Sequence, residues 1–287
     1  MGALPLRPAV YRERAPCHAL REHVRALFHF ALPETADPAA AASVCPALFA
    51  DAGISIVFEV ARGWAVDGLW APGRRGAPGY VVGPMTRGWG TSFGTRVDAV
   101  GAYLRAGSGA ALLGVPPSVR ADRIVSVDEL WPVEGPALAD AIEAAPDVDA
   151  RLALLERALV RHLPATGLDR PLIDLARAID RGAGPQTVDD LAYRAGLSRQ
   201  HLTRRFRAAM GVPPKLFCRL SRFHRLLREA QGGTARADGG WAGAAAACGY
   251  TDQSHMIAEF KAFTGLTPAA LLTSGGFHPF AEVPFLL

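Results

Sequence analysis

The chain has 287 residues, half of them hydrophobic and one-fifth charged, which is typical of a folded protein with room for two domains. The formal net charge is +4, and the absence of an uninterrupted apolar stretch of about 18 residues excludes a membrane-spanning helix. The opening string MGALPLRPAVYRERAP lacks the continuous apolar segment of a signal peptide. We therefore expect a cytoplasmic protein with no membrane partner.

The first part of the chain is predicted to be rich in short strands. Val24–Phe30 and Ile54–Val60 carry β-type residues, and frequent glycine and proline follow them. Further strands are expected at Gly79–Val82 and across Ser92–Leu104, and a short helix at Gly109–Leu113. Short strands with frequent turns favour a β-barrel or sandwich.

The β-rich part also holds most of the large aromatic residues. They are Trp64, Trp70, Tyr80, Trp89, Phe93 and Tyr103. One interpretation is that these rings form the core of the barrel, and the other is that several line a cavity for a small-molecule effector. The sequence leaves both interpretations open.

Catalytic and metal-binding patterns are not found in the sequence. A metal site in a β-barrel would need clustered histidines. His18, His23 and His29 are scattered, and only His29 lies in an expected strand. Glu59 and Asp67 would be a carboxylate pair, but solvated strand ends explain them equally well. The four cysteines share no C-x-x-C spacing. We expect no catalysis, no metal and no cofactor.

Helical periodicity replaces the strand pattern after the break at residues 116–129. Helices are predicted at Ala137–Ala144, Val148–His162 and Pro171–Arg181. The second of them carries a leucine stripe, made of Leu152, Leu155, Leu159 and Leu163. Such a stripe packs either on the strands or on a second copy of the chain, and it is short for a coiled coil.

One helical pattern then occurs twice, as TVDDLAYRAGLSRQHLTRRFRAAMGVPP from Thr187 and as WAGAAAACGYTDQSHMIAEFKAFTGLTP from Trp241. In the first copy Thr187 caps a helix that ends at Gly196, and Ser198 caps the helix that follows. In the second copy a helix ends at Gly249, and either Asp252 or Thr251 caps the helix that follows. This arrangement predicts two helix-turn-helix units. Lys215–Ala230 is expected to be a basic helix that connects them.

The second helix of each unit is expected to present its outer face to the DNA major groove. The outward residues are Gln200, Thr203, Arg204 and Arg207 in the first unit, and Ser254, Ile257, Ala258 and Lys261 in the second. Arg204 suits a guanine edge and Gln200 suits adenine, whereas Arg199 and Arg205 are placed for phosphates. A charged outer face on one helix needs no explanation beyond solvation, but two matching copies favour DNA.

Charge is concentrated around this repeat. Twelve Lys and Arg and six Asp and Glu lie in residues 187–274, so this segment carries +6 and the remainder of the chain carries −2. Such an asymmetry is typical of a basic nucleic-acid-binding module joined to a near-neutral domain. Arg219 and Arg222 of the connecting helix are further candidates for phosphate contacts.

The repeat resembles the paired helix-turn-helix domain of AraC/XylS-type transcriptional regulators, most clearly in the string GYTDQSHMIAEFKAFTGLTP. The resemblance implies that six residues lie at or near the groove, namely Gln200, Thr203, Arg204, Gln253, Ser254 and His255. One departure is Ala244, where that family usually has a bulky aliphatic residue. The strings YRERAPCHALREHVRALFHF, VGPMTRG and VGAYLRAGSGAALLGVP resemble the cupin-like sensor domain of one branch of these regulators.

Together these observations predict an α+β chain in three parts. A cupin-like sensor or dimerisation barrel occupies residues 1–130, a helical connector 131–184 and the tandem helix-turn-helix domain 185–274. The expected function is sequence-specific transcriptional regulation controlled by a small-molecule effector. Double-stranded DNA, RNA polymerase and a second copy of the chain are the macromolecular partners considered. The alternatives are a constitutive DNA binder with an inert dimerising barrel, and a cupin-type enzyme tethered to DNA.

Overall fold

The computed structural model describes residues 10–32, 47–61, 64–66, 79–93, 96–114, 121–164, 168–182, 187–231 and 240–273. Asp67 and Trp70 lie outside these ranges, and the side chains of Trp64 and Phe93 are likewise outside the described part. No helix within the ranges is long and apolar enough to cross a membrane.

The described strands belong to the N-terminal half and form two antiparallel sheets. The strands are β1 (Val10–Arg14), β2 (Val24–Leu32), β3 (Ala47–Leu48), β4 (Ile54–Ala61), β5 (Trp64–Val66), β6 (Gly79–Val82), β7 (Trp89–Phe93), β8 (Val97–Leu104) and β9 (Ile124–Ser126). The larger sheet has the order β1-β2-β8-β4-β6-β9 and the smaller has the order β3-β7-β5. Pairing among these strands leaves β1 and β9 at the edges of the larger sheet. A closed cupin-like barrel therefore remains a prediction.

A short 3₁₀ turn at His18–Leu20 and a series of α-helices complete the described structure. The α-helices are α1 (Gly109–Leu113), α2 (Val127–Leu130), α3 (Glu134–Ala144), α4 (Val148–Arg161), α5 (Arg170–Asp180), α6 (Val188–Arg194), α7 (Arg199–Met210), α8 (Pro214–Gln231), α9 (Gly240–Ala247), α10 (Gln253–Thr264) and α11 (Pro268–Thr273). The helices predicted from periodicity are all present, with bounds shifted by at most three residues.

The larger sheet is buried on both faces. Strand β8 shows the division, because Val100 and Leu104 pack with the leucines of α3 and α4, whereas Ala99 and Tyr103 point into an aromatic cluster on the other face. The leucine stripe of α4 lies in the first of these cores, with Leu155 fully buried. Of the two interpretations of that stripe, the structure therefore shows packing within the chain.

His29 is held in a polar link between the sheet and α4. Its Nε2 lies 3.0 Å from Asp98 Oδ1, and Arg151 Nη1 of α4 donates to Asp98 Oδ2 at 3.1 Å. The hydrogen bond from His29, together with the charge of Arg151, lowers the pKa of Asp98. His29 is therefore a structural residue with a partner, as its isolation in the sequence suggested.

The second large core lies in the C-terminal half and includes one helix of the predicted connector. Leu172, Ile173 and Ile179 of α5 pack with the buried faces of α7 and α8, whereas α3 and α4 pack on the sheet. The connector helices thus contribute to two different cores. The boundaries at residues 130 and 184 stay predictions.

The N-terminal half touches the C-terminal ends of α7 and α10. The Ala50 amide donates to the Phe263 carbonyl at 2.8 Å, and a Cβ on Gly88 would collide with the main chain of Thr264. On the other side, Gly107 lies against Ile173 and Met210. These close contacts of main-chain segments in the N-terminal half join the two halves of the chain.

Candidate nucleic-acid interface

The first helix-turn-helix unit consists of α6, a tight turn and α7. The Thr187 hydroxyl accepts from the Asp190 amide at 3.2 Å, so α6 begins with the predicted capping interaction. Gly196 has φ of 63°, a conformation that favours glycine, and the chain turns there. Ser198 then caps α7 by accepting from the His201 amide at 3.3 Å. Local sequence therefore fixes where each helix begins and how the two are joined.

Helix α7 buries one face and exposes the other. Leu202, Phe206 and Met210 are buried, and the ring of Phe206 meets Phe217 of α8 edge to face at 5.3 Å. On the outer face Arg199, Gln200, Arg204 and Arg207 are exposed and Thr203 is half-buried. The Thr203 hydroxyl donates to the Arg199 carbonyl at 2.8 Å, and Arg199 lies 3.6 Å from the exposed carboxylate of Asp189. The predicted groove-facing residues of this unit thus share one accessible surface.

The second unit repeats the arrangement with α9 and α10. Gly249 has φ of 82°, and Asp252 accepts from the His255 amide at 2.7 Å. Helix α10 buries Met256, Phe260 and Phe263. Its outer face has exposed side chains on either side of the half-buried His255. The exposed ones are Gln253, Ser254, Ile257, Ala258 and Lys261.

Helix α9 compensates for its small residues with one large ring. Ala244 and Ala245 are buried, and Trp241 packs edge to face on Phe260 at 5.6 Å between ring centroids. The indole of Trp241 thus supplies apolar area that a larger aliphatic residue at position 244 would otherwise provide.

Besides Arg199, three arginines expected at phosphates are held by carboxylates. Arg205 Nη2 donates to Asp169 Oδ2 at 2.6 Å, which ties α7 to the start of α5. Arg219 and Arg222 of α8 both donate to Glu259 of α10, through Arg219 Nε at 2.8 Å and Arg222 Nη2 at 3.1 Å. Sequence reasoning missed Glu259, although its position three residues after Met256 places it on the inward face of α10.

The aromatic residues considered for an effector pocket are partly brought together. Tyr80 and Tyr103 are buried between the sheets, with Trp89 half-buried at the edge of the same cluster. The Tyr103 ring stacks on Phe28 at 4.4 Å, and the Tyr80 hydroxyl donates to the buried Glu59 at 3.1 Å. Tyr80, Trp89 and Tyr103 therefore belong to one buried cluster of the described residues, and their role in binding an effector stays a prediction.

Comparisons with known proteins address the C-terminal half most directly. Residues 191–274 match the model of a family described as "Helix-turn-helix domain". These residues form an AraC-type helix-turn-helix domain. Because such a domain binds DNA, the chain is a DNA-binding transcriptional regulator. The matched residues begin within α6 and include α7, α8, α9 and α10, so both exposed faces described above belong to the matched domain.

Two solved structures resemble the chain at low sequence identity. ToxT from Vibrio cholerae O395 is 8% identical, with 79% of this chain and 90% of that chain covered and a TM-score of 0.41. The apo form of a ToxT variant from Vibrio cholerae strain SCE256 is 9% identical, with 93% and 96% covered and a TM-score of 0.41. A search of curated proteins found no match.

Proposed function

We propose that α7 and α10 read DNA sequence in successive turns of the major groove and that the N-terminal half adjusts their affinity in response to a small molecule. The connecting helix α8 has 18 residues and is about 27 Å long at 1.5 Å per residue. Two recognition helices at its ends suit groove segments about 34 Å apart when the DNA bends modestly. RNA polymerase is the expected protein partner, and a second copy of the chain is a further one.

The observation that carries this proposal is the exposed polar face of α7. Gln200 and Arg204 project from a helix whose start is capped and whose opposite face is buried, so their main-chain positions are fixed before DNA arrives. Both lie in the first half of the helix, where groove-inserted helices meet base edges. Arg204 has no recorded carboxylate partner among the described residues, in contrast to Arg205.

Replacing Arg204 with alanine is expected to weaken binding to a selected operator by about 1–3 kcal/mol, or roughly fivefold to 150-fold, because a guanidinium fork on guanine is lost. Duplexes enriched by the wild type from a random pool supply the probe, and fluorescence anisotropy gives the Kd. Arg157→Ala, which removes an exposed cation from α4, is the matched control and should leave the Kd within twofold. Equal losses in both variants would contradict base reading by Arg204.

The alternative of an enzyme tethered to DNA makes a different prediction for the same variant. A barrel enzyme would keep its turnover when Arg204 is replaced, whereas a regulator loses its principal activity. The burial of Glu59 against Tyr80 favours a structural role for this pair, because a carboxylate enclosed in an aromatic cluster has little access to a substrate.

Control by an effector is expected to link thermal stability with DNA affinity. A compound that binds the N-terminal half should raise the melting temperature of the full chain and change its operator Kd, since a ligand shifts an equilibrium only through unequal affinity for the two states. Thermal-shift screening of small metabolites followed by anisotropy measures both. If stabilising compounds never alter the Kd, the constitutive interpretation replaces this one.

A further inference from the structure

A cationic groove separates the connecting helix from the second recognition helix. Its volume is about 560 Å³. The residues lining it are Lys215, Cys218, Arg219 and Arg222 from α8 and His255, Ala258 and Glu259 from α10. Three side chains are permanently cationic and one is anionic, so the groove keeps a net positive charge. Two of the lining residues, the exposed Ala258 and the half-buried His255, also belong to the outer face of α10 described above.

Glu259 is the anionic residue of this groove, and it is almost completely buried, with 4% of its surface exposed. A buried carboxylate is tolerated only when cations and hydrogen bonds compensate for its lost hydration. Arg222 Nη2 lies 3.1 Å from each of its oxygens and Arg219 Nε lies 2.8 Å from Oε2. Glu259 therefore fixes two guanidinium groups that belong to a different helix.

Aromatic rings complete the positions of these two arginines. The guanidinium carbon of Arg219 lies 5.0 Å from the centroid of the Phe263 ring, and that of Arg222 lies 4.6 Å from the Tyr250 ring. Each arginine is thus held on one side by a ring and at one end by Glu259. A side chain fixed in this way loses less rotamer entropy when it binds a second anion.

Arg219 and Arg222 line the groove, and Arg219 keeps donors that Glu259 does not engage. A guanidinium has five N–H donors. Arg219 donates its Nε–H to Glu259, and its side chain is 41% exposed. Its terminal NH₂ groups are consequently accessible to a second acceptor. Their planar fork matches the oxygens of a phosphate.

We propose that this groove binds a backbone phosphate of DNA and that Glu259 is a positioning residue that presents Arg219 and Arg222 to that phosphate. The proposal rests on the proposed function, because it takes α10 to lie in the major groove. It gives the second unit a register on the duplex that is set by a phosphate contact, in addition to any base contact made by its outer face.

The direction in which Glu259→Gln changes DNA affinity distinguishes a positioning role from a simple effect of charge. Glu259→Gln removes a negative charge from the DNA side of the domain, so electrostatics alone predicts tighter binding and an unchanged or steeper salt dependence. Positioning predicts the opposite, because the two guanidiniums lose their common anchor. We expect Glu259→Gln to weaken operator binding about tenfold and to reduce the slope of log K against log salt by about 1.

The test uses the full chain and compares Kd over a salt series for duplexes enriched by the wild type and for a random duplex of equal length. Glu229→Gln, which removes an exposed carboxylate from α8, is the matched control and should not weaken operator binding. Glu259→Asp keeps the charge and should recover part of the affinity. If Glu259→Gln unfolds at the assay temperature, Arg222→Lys replaces it, because it keeps the charge and removes the fork, and the same loss is expected.

The positioning role is overturned if a folded Glu259→Gln variant binds the operator as tightly as the wild type, with an unchanged or steeper salt slope. If the Glu259→Gln variant is unfolded, undiminished operator binding by Arg222→Lys overturns the positioning role instead. Failure of the proposed function would look different, since the wild type would then enrich no sequence and Arg204→Ala would have no effect. An intact response to Arg204→Ala together with no effect of Glu259→Gln would reject only the inference made here.

Discussion

Replacing Phe223 with alanine is expected to lower the free energy of unfolding of the C-terminal core by about 3–5 kcal/mol. Phe223 is fully buried in α8, and its ring meets Phe260 at 5.6 Å and Phe263 at 5.3 Å from the second unit. It also meets Phe49 of the N-terminal half at 6.4 Å. Because the cavity would open where three parts of the chain join, neighbouring side chains have little freedom to fill it.

Chemical denaturation followed by circular dichroism measures this loss, and anisotropy should show DNA binding falling in the same denaturant range. Tyr193→Ala is the matched control, since this aromatic residue of α6 is 89% exposed. It is expected to change the free energy of unfolding by less than about 0.5 kcal/mol. Similar effects of the two substitutions would mean that Phe223 does not connect these parts energetically.

The second large effect is expected from Asp51→Asn at alkaline pH. Asp51 follows Ala50, whose amide donates to Phe263 of α10, and it is itself buried, with its main chain paired to Met85. Its Oδ1 accepts from the Gly53 amide at 2.7 Å, whereas no hydrogen-bond partner is recorded for Oδ2 among the described residues. Burial raises the pKa of this carboxyl to about 8, and the charge of Asp180 adds to the effect.

The direction of the expected pH dependence follows from the raised pKa of Asp51. The folded chain holds the Asp51 proton up to about pH 8 and the unfolded chain releases it near pH 4. The resulting stabilisation is complete below pH 4 and declines by about 1.4 kcal/mol per pH unit until it is lost above pH 8. Asparagine keeps the oxygen that accepts from Gly53 and cannot ionise, so the variant should become more stable than the wild type as pH rises.

Urea titrations check this expectation at pH 6, 7, 8 and 9, values that bracket the shifted pKa. The quantity compared is the free energy of unfolding of the variant minus that of the wild type. Asp140→Asn, an exposed carboxylate of α3, should follow the wild type at every pH. A constant difference between Asp51→Asn and the wild type across the series would show that Asp51 is already ionised in the folded chain.

Protonation of His224 is expected to weaken its hydrogen bond to Ala50 at acidic pH. Burial lowers the pKa of His224 to about 4 and its Nε2 lies 3.1 Å from the Ala50 carbonyl oxygen, so the neutral imidazole donates this hydrogen bond. A depressed histidine pKa contributes stability that is complete above about pH 6.5 and is lost as the pH falls through 4. Between about pH 4 and about pH 8 both Asp51 and His224 therefore remain uncharged in the folded chain.

The parts of the fold that depend on neighbouring residues were predictable from the sequence. Capping by Thr187, Ser198 and Asp252 and the positive φ of Gly196 and Gly249 are decided within a few residues, and the structure confirms each of them. The exposed face of α7 followed from helical periodicity. Its contacts with bases and phosphates remain predictions.

The parts that depend on distant segments were not predictable from one sequence. Strand order places β8 between β2 and β4, although β4 and β8 are separated by more than thirty residues of sequence. Nothing near Ala50 in the sequence indicates that its main chain pairs with Phe263. Glu259 carried a usable signal, because an acid on the inward face of a helix requires cationic partners, and the arginines of α8 were the available ones.

Both α7 and α10 end against the N-terminal half, α7 near Gly107 and α10 near Ala50 and Gly88. The separation of their exposed faces therefore depends on a segment outside the helix-turn-helix domain. A base-pair step advances a duplex by about 3.4 Å, so a displacement of this segment by that amount would change which spacing between half-sites fits two DNA-reading helices. If the N-terminal half responds to a small molecule as proposed, we expect the response to change the half-site spacing that the chain prefers.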